Sequence, residues 1–135
     1  MTEDKTVVLT ENAPAPAPVY SQGVRKGGLL QVSGQGAVDP TTNSFVGVGD
    51  VTAQTLRTLQ NVRAVLEAGD ASMEDVIMIR VYLTTRVDFA EMNAAYGTFF
   101  REFVPSGALP CRTTVFVDLP DEDMLVEIDA LAVLP

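Results

Sequence analysis

The chain has 135 residues, of which 47% are hydrophobic, and its formal net charge is -9. This length predicts one domain over residues 1–135 with a substantial core. An acidic chain repels phosphate backbones, so nucleic acid is not expected as a partner. Histidine is absent and Cys111 is the single cysteine. These counts exclude an intramolecular disulfide and histidine-based catalytic or metal sites, and no metal or cofactor is expected.

The N-terminal sequence MTEDK is acidic and leads into no long apolar run, so it does not resemble a signal peptide. No stretch approaches the roughly 20 apolar residues that a transmembrane helix needs. We therefore expect a cytoplasmic protein with no membrane partner.

The first part of the chain predicts short strands and loops. Residues 6–10 favour a strand, and the Pro- and Ala-rich segment 13–20 favours an extended edge segment or loop, because proline donates no backbone hydrogen bond. The glycine pair at 27–28 predicts a turn before a strand over 29–34. The turn-rich segment 35–50 matches neither a phosphate-binding loop nor a dinucleotide fingerprint.

A first helix is predicted over residues 51–68. Asp50 is its expected N-cap and Gly69 its expected C′ residue. Its apolar positions recur at helical spacing and form one stripe.

A strand and a second helix follow. The run 76–83 is apolar at both parities except at Arg80, which is typical of a strand buried on both faces. The second helix is predicted over 89–103, with Asp88 and Glu91 at the spacing of a capping box.

The segment 110–135 contains two apolar runs, 113–117 and 124–133, joined by an acidic turn, and it predicts a terminal hairpin. Arg112 stands at the start of the first run and Glu127 within the second. Taken singly, each charge has an ordinary structural explanation, as half of an ion pair or as a charge that reaches water.

The order of elements favours an α+β fold with a mixed sheet and two helices on one face. The last strand is apolar on both sides, so one face of the sheet has no cover within the chain. We therefore predict a homo-oligomer.

The sequence PCRTTVFVDLPDEDMLVEIDALA (110–132) resembles the signature of the Rid (YjgF-type) family, the reactive intermediate (enamine/imine) deaminases. The segments YSQGV (20–24), VSGQ (32–35), QNVRAVLEAG (60–69) and MNAAY (92–96) resemble the family in the same order. The resemblance implies a chorismate-mutase-like domain that forms a homotrimer, with a small pocket in each cleft between subunits.

The resemblance also implies roles for individual residues. Arg112 would bind a substrate carboxylate and Glu127 would hold the attacking water. Tyr20 and Ser33 would contribute hydroxyl groups at the pocket, as members of the catalytic set.

Further residues are implied as substrate-binding. The Gly34 backbone would face the substrate nitrogen, Asn93 would support the cleft, and Thr114 would line the pocket. Thr114 stands where many family deaminases have a cysteine, whereas Cys111 precedes the arginine and is expected to be dispensable. Val19 replaces a familiar proline, which bears on the size of substrate accepted.

The implied activity is hydrolysis of 2-imino acids or their enamine tautomers, of the 2-iminobutanoate and 2-iminopropanoate type, to 2-keto acids and ammonia. The partners would be these small acids and further copies of the chain. Two alternatives stay open: a non-catalytic trimer that binds small carboxylates, and a ribonuclease, which the acidic charge disfavours.

Overall fold

The computed structural model describes residues 4–135, so residues 1–3 of the N-terminal sequence considered above lie outside it. No helix in this described range is long and apolar enough to cross a membrane. The elements are β1 Thr6–Val8, β2 Gly23–Lys26, β3 Leu29–Gln35, β4 Val38–Asp39, β5 Ser44–Phe45, α1 Val51–Ala68, β6 Val76–Leu83, α2 Phe89–Phe103, β7 Cys111–Phe116 and β8 Val126–Val133.

Six strands form one mixed sheet in the order β1-β2-β3-β8-β6-β7, and β4 pairs with β5 separately. Among the strands of residues 4–135, β6 and β7 form the one parallel pair of the six-stranded sheet. The predicted α+β class, with two helices on a mixed sheet, is confirmed.

The predicted terminal hairpin is wrong, because β6 lies between β7 and β8. Helix α2 connects β6 to β7 as a crossover, which brings β7 parallel to β6 at the outer edge of the sheet. Strand β8 then fills the place between β3 and β6, where both of its edges are hydrogen-bonded.

The core lies between the two helices and one face of the sheet, called here the inner face. Alternate side chains of the three central strands point to this face and are completely buried. They are Leu30, Val32, Ile79, Val81, Ile128 and Ala130.

The opposite, outer face has no cover among residues 4–135. Its apolar side chains include Leu29 and Val133, which remain 49% and 42% exposed. On β6, Met78 and Tyr82 are half-buried and Arg80 is exposed. The expected burial of β6 on both faces is therefore not reached within one copy of the chain.

The ends of α1 were predicted only in part. The Asp50 carboxylate accepts the backbone N–H of Ala53 at 3.1 Å, which confirms the N-cap. At the other end the left-handed residue is Asp70, with φ of 67°, and not Gly69. Glycine suits position 69 for a steric reason instead, because a Cβ there would lie 2.7 Å from a methyl group of Leu30.

The predicted capping box of α2 is wrong. A 3-10 turn over Arg86–Asp88 precedes the helix, and the Thr85 hydroxyl accepts the N–H of Val87 at 3.3 Å. Asp88 already has a helical backbone conformation, so its side chain makes no capping hydrogen bond.

Candidate active site

The Pro-rich segment 13–20 forms a loop that one buried amide holds against the sheet. The Gln22 side chain is 1% exposed and donates to the backbone carbonyls of Thr10, Ala13 and Pro14, at 3.0, 3.3 and 2.8 Å. Its oxygen accepts the Thr10 N–H at 2.8 Å. Every polar atom of this amide is satisfied, so the loop has a defined position.

A second buried amide, Asn61 of α1, fixes the segment between β3 and β4. Its nitrogen donates to the carbonyls of Gly36 and Val38, both at 2.9 Å. Its oxygen accepts from Arg57. The helix thereby determines where this part of the chain lies.

A third buried amide, Gln54, performs the same task for the segment that precedes β8. It donates to the carbonyl of Asp123 at 2.8 Å and accepts the N–H of Leu125 at 2.9 Å. The two bonds flank Met124, so its backbone is held from both sides.

The three held segments meet around a cavity of about 250 Å³. Three of the predicted site residues line it: Tyr20, Gly34 and Glu127. We call this cavity the Glu127 pocket. Its full lining is Pro14, Ala15, Pro16, Tyr20, Gln22, Gly34, Gln35, Gly36, Val38, Asn43, Phe45, Pro120, Met124 and Glu127.

Glu127 lies half-buried on the outer face, opposite Tyr82 in the strand register. The irregular pairing of β3 with β8 brings Gly34 against its carboxylate, and a Cβ on Gly34 would lie 2.5 Å from Oε2. Burial raises the pKa of Glu127, and the negative charge of Asp129 raises it further. Both causes act in the direction that suits a base near neutral pH.

Asp129 is a charged residue of the outer face that the sequence analysis missed. It is 8% exposed and accepts from Arg80 Nε at 2.8 Å and from the Tyr82 hydroxyl at 2.9 Å. Burial raises the pKa of Tyr82, and the hydrogen bond to Asp129 adds to the shift. Because Arg80 is paired with Asp129, it is not the partner of Glu127.

Arg112 lies half-buried on the edge strand β7 and points to the inner face, since it is in register with Ile79. Its guanidinium carbon is 4.7 Å from the ring centre of Tyr96 and 6.0 Å from that of Phe89. Within the described range it forms no ion pair. Two aromatic faces therefore position a cation that has no anionic partner in the part of the chain that the structure describes.

Asn93 and Thr114 lie beside this arginine. Asn93 is exposed on α2, four residues after Phe89 and three before Tyr96, which places it on the same helix face. Thr114 is two residues beyond Arg112, on the same side of β7. We call Phe89, Asn93, Tyr96, Arg112 and Thr114 the Arg112 cluster.

The remaining residues singled out from the sequence lie elsewhere. The Ser33 hydroxyl donates to the backbone carbonyl of Ser21, and Ser33 does not line the Glu127 pocket. Cys111 is exposed, in register with Met78 on the outer face. Val19 is 89% exposed on the Pro-rich loop.

The Glu127 pocket and the Arg112 cluster lie on opposite faces of the sheet. Glu127 points outwards with Tyr82, Arg112 points inwards with Ile79, and β6 lies between their strands. Two strand spacings separate them by about 10 Å across the sheet, and the three residues from Ile79 to Tyr82 add about 10 Å along it. One copy of the chain therefore does not bring all the predicted site residues together.

Comparison with known proteins agrees with this architecture. A RutC family protein of Pyrococcus horikoshii is 42% identical over 128 residues, which cover 95% of this chain and 97% of that protein. A 2-iminobutanoate/2-iminopropanoate deaminase of Salmonella typhimurium is 39% identical over 126 residues, 93% of this chain and 95% of the enzyme. The crystal structure of E. coli TdcF with bound serine has a TM-score of 0.89 at 36% identity, covering 96% of this chain and 99% of TdcF.

The sequence profile described as Endoribonuclease L-PSP matches residues 10–134. That match covers almost the whole chain, as the alignments with the relatives do. The chain therefore belongs to the Endoribonuclease L-PSP family, which is also called the YjgF or Rid family.

Proposed function

We propose that this protein hydrolyses reactive 2-imino acids, or their enamine tautomers, to 2-keto acids and ammonia. We further propose that it acts as a homotrimer, in which each cleft joins the Glu127 pocket of one copy to the Arg112 cluster of the next. The observation that carries the proposal is the placement of Arg112 and Glu127 on opposite sheet faces, each without an ion-pair partner among residues 4–135.

An uncovered sheet face supports the assembly. Apolar residues such as Leu29, Val115 and Val133 are exposed on the outer face, the face on which Glu127 lies. Exposed apolar surface of this kind favours association with a second copy. A neighbouring edge strand would then bring its own Arg112 cluster to the pocket.

The chemistry needs only groups that the chain supplies. Water attacks C2 of the protonated imine while Glu127 accepts its proton, and the C=N electron pair moves to nitrogen. Glu127 returns the proton to nitrogen, the C–N bond breaks, and the carbon–oxygen double bond forms as the released ammonia takes up the hydroxyl proton. The products are a 2-keto acid and ammonium.

Arg112 of the partner subunit would hold the substrate carboxylate through two parallel hydrogen bonds, for which a planar guanidinium is suited. Tyr20 and the Gly34 backbone would lie beside the reacting carbon and nitrogen. Ser33 would act by holding the Ser21 carbonyl, which fixes the chain near Tyr20.

The relatives support the reaction class. Three of the relatives carry the deaminase name, and the TdcF structure holds serine, which has a carboxylate like the one that we assign to Arg112. The word endoribonuclease in the family description points to another substrate. A net charge of -9 disfavours RNA at this site.

Subunit mixing tests the proposal. Arg112→Ala and Glu127→Gln proteins should each be inactive, but co-refolding them in equal amounts should restore about a quarter of wild-type activity, because a quarter of random clefts combine both intact groups. No recovery despite verified subunit exchange would show that the two residues do not meet across an interface. A non-catalytic module for small carboxylates would bind 2-keto acids through Arg112 and show no imine hydrolysis.

A further inference from the structure

The Glu127 pocket has an apolar wall that the proposed chemistry does not use. Besides its polar groups, the pocket is lined by Pro14, Pro16, Val38, Phe45 and Met124, which we call the apolar wall. Among residues 4–135, no lysine or arginine lines the cavity. A carboxylate on a substrate side chain would meet Glu127 there without a compensating cation.

The apolar wall is fixed before any ligand binds. Gln22 holds the loop that carries Pro14, Asn61 holds Val38, and Gln54 holds both neighbours of Met124. A wall whose backbone is held in this way loses little conformational entropy on binding, so apolar contact with a ligand contributes more fully to affinity.

Gly36 sets the depth of the cavity. A Cβ at this position would lie 2.9 Å from the terminal methyl of Met124 and 3.5 Å from the Phe45 ring. The glycine thus leaves space for both side chains, and a methyl group there would push the end of Met124 away from its present position.

We propose that the apolar wall binds the substrate side chain and selects 2-imino acids with aliphatic side chains of three or four carbons over 2-iminopropanoate and over acidic imino acids. The volume of about 250 Å³ lies just below the range of roughly 300–1,000 Å³ typical of drug-sized ligands, as suits one small acid. The inference rests on the proposed function and names its substrate class.

A substrate series tests this selection. Imino acids are generated in situ by amino-acid oxidases, and the acceleration of their hydrolysis is measured. We expect kcat/KM to rise by roughly fourfold per added methylene from 2-iminopropanoate to the imine of leucine, and the imine of aspartate to react more slowly than either. Equal kcat/KM for the alanine- and leucine-derived imines would overturn the inference.

Two variants locate the selection. Gly36→Ala should lower the leucine-to-alanine ratio of kcat/KM about fivefold, because the added methyl crowds Met124. Gly28→Ala is the matched control, since a Cβ at Gly28 meets nothing within 4 Å, and its ratio should equal that of the wild type.

Met124→Ala should instead raise kcat/KM for the larger phenylalanine-derived imine relative to the leucine-derived imine. Unchanged ratios in both pocket variants would refute the role of the wall.

Binding of the product acids separates this inference from the proposed function. Calorimetry with 2-oxopropanoate and 4-methyl-2-oxopentanoate measures the pocket without any turnover. Tighter binding of the longer acid, lost in Gly36→Ala, supports the apolar wall even where no hydrolysis is found. Hydrolysis of every imine at one rate, with equal binding of both acids, leaves the proposed function intact and rejects the wall.

Discussion

Two arginines, Arg80 and Arg112, lie on neighbouring strands of the same sheet and differ in the groups that their guanidinium groups contact. Arg80 donates to Asp129, which also accepts from Tyr82, so that network is complete within one chain. Arg112 contacts two aromatic rings and no carboxylate among residues 4–135. The comparison shows that Arg80 is paired within the fold, whereas Arg112 has no ion pair within residues 4–135, as our proposed carboxylate-binding role requires.

Replacing Arg112 should have the largest effect. Loss of a charge-paired group that contacts substrate costs roughly 2–5 kcal/mol, so Arg112→Ala should lower kcat/KM for imine hydrolysis by about a thousandfold. The measurement is imine hydrolysis with a matched Arg80→Ala control. Near wild-type activity in Arg112→Ala would contradict the carboxylate-binding role, and an equal loss in Arg80→Ala would remove the distinction between the two arginines.

Glu127→Gln should have the next largest effect. Removing a general base costs at least about a hundredfold in kcat, while the shape of the pocket is kept. Binding of a 2-keto acid, measured by calorimetry, should change far less than kcat. A variant that loses binding and turnover in parallel would instead assign Glu127 to ligand binding.

The sequence predicted the local structure well and the strand pairing less well. Both helices and β6 were predicted with the bounds observed, because each has its own periodicity and flanking residues. The terminal hairpin was wrong, because pairing depends on which strands meet after α2 crosses the sheet, and β7 and β8 are separated by a strand that is remote in sequence.

The predicted site residues lie in two separate places within one copy of the chain. Family resemblance identified Arg112 and Glu127, but no sequence pattern shows that they point to opposite faces of the sheet. The direction of Arg112 depends on which strand pairs with β7, and the sequence does not show this. The buried amides Gln54 and Asn61 were missed. Charged residues of α1 occur only at 57, 63 and 67, and this restriction was the available signal that several of its uncharged polar side chains are buried.

Arg80→Ala should affect stability more than chemistry. It leaves Asp129 nearly buried with Tyr82 as its remaining donor, at a cost of about 1–3 kcal/mol after allowance for the exposed part of Arg80. Chemical denaturation at a fixed protein concentration measures this loss, and Lys26→Ala is a control at an exposed strand position. Equal stability of the two variants would show that the Arg80–Asp129 pair contributes nothing to the fold.

Asp129→Asn should move the pH dependence of the reaction. Burial first, and the Asp129 charge second, raise the pKa of Glu127 above its ordinary value. Removing that charge lowers the pKa, so the base stays ionised to lower pH and the acidic limb of kcat/KM should shift downwards. Tyr20 and Tyr82 also lie near Glu127, and Tyr82→Phe serves as the control because it keeps the Asp129 charge. If the acidic limb of kcat/KM did not move, the charge of Asp129 would have no influence on the pKa of Glu127.

The smallest effect expected is a gain in stability from Glu127→Gln. A carboxyl group whose folded pKa is raised destabilises the folded state when it is ionised. This cost is complete above the folded pKa and disappears below the unfolded one. At pH 7 the variant should therefore be more stable, by no more than about 1 kcal/mol for a group that is only half-buried, and the gain should vanish in acid.

The same measurement bears on the contrast between the two arginines. If Arg112 of the partner subunit faces Glu127, it offsets part of the cost of ionisation, so Glu127→Gln should stabilise the assembly more in an Arg112→Ala background than in the wild type. Arg80→Ala should give no such coupling, because Arg80 is directed to Asp129. Denaturation of the single and double variants at one protomer concentration yields the two coupling energies. Equal coupling would mean that Arg112 is no closer to the carboxylate of Glu127 in the assembly than Arg80 is within the chain.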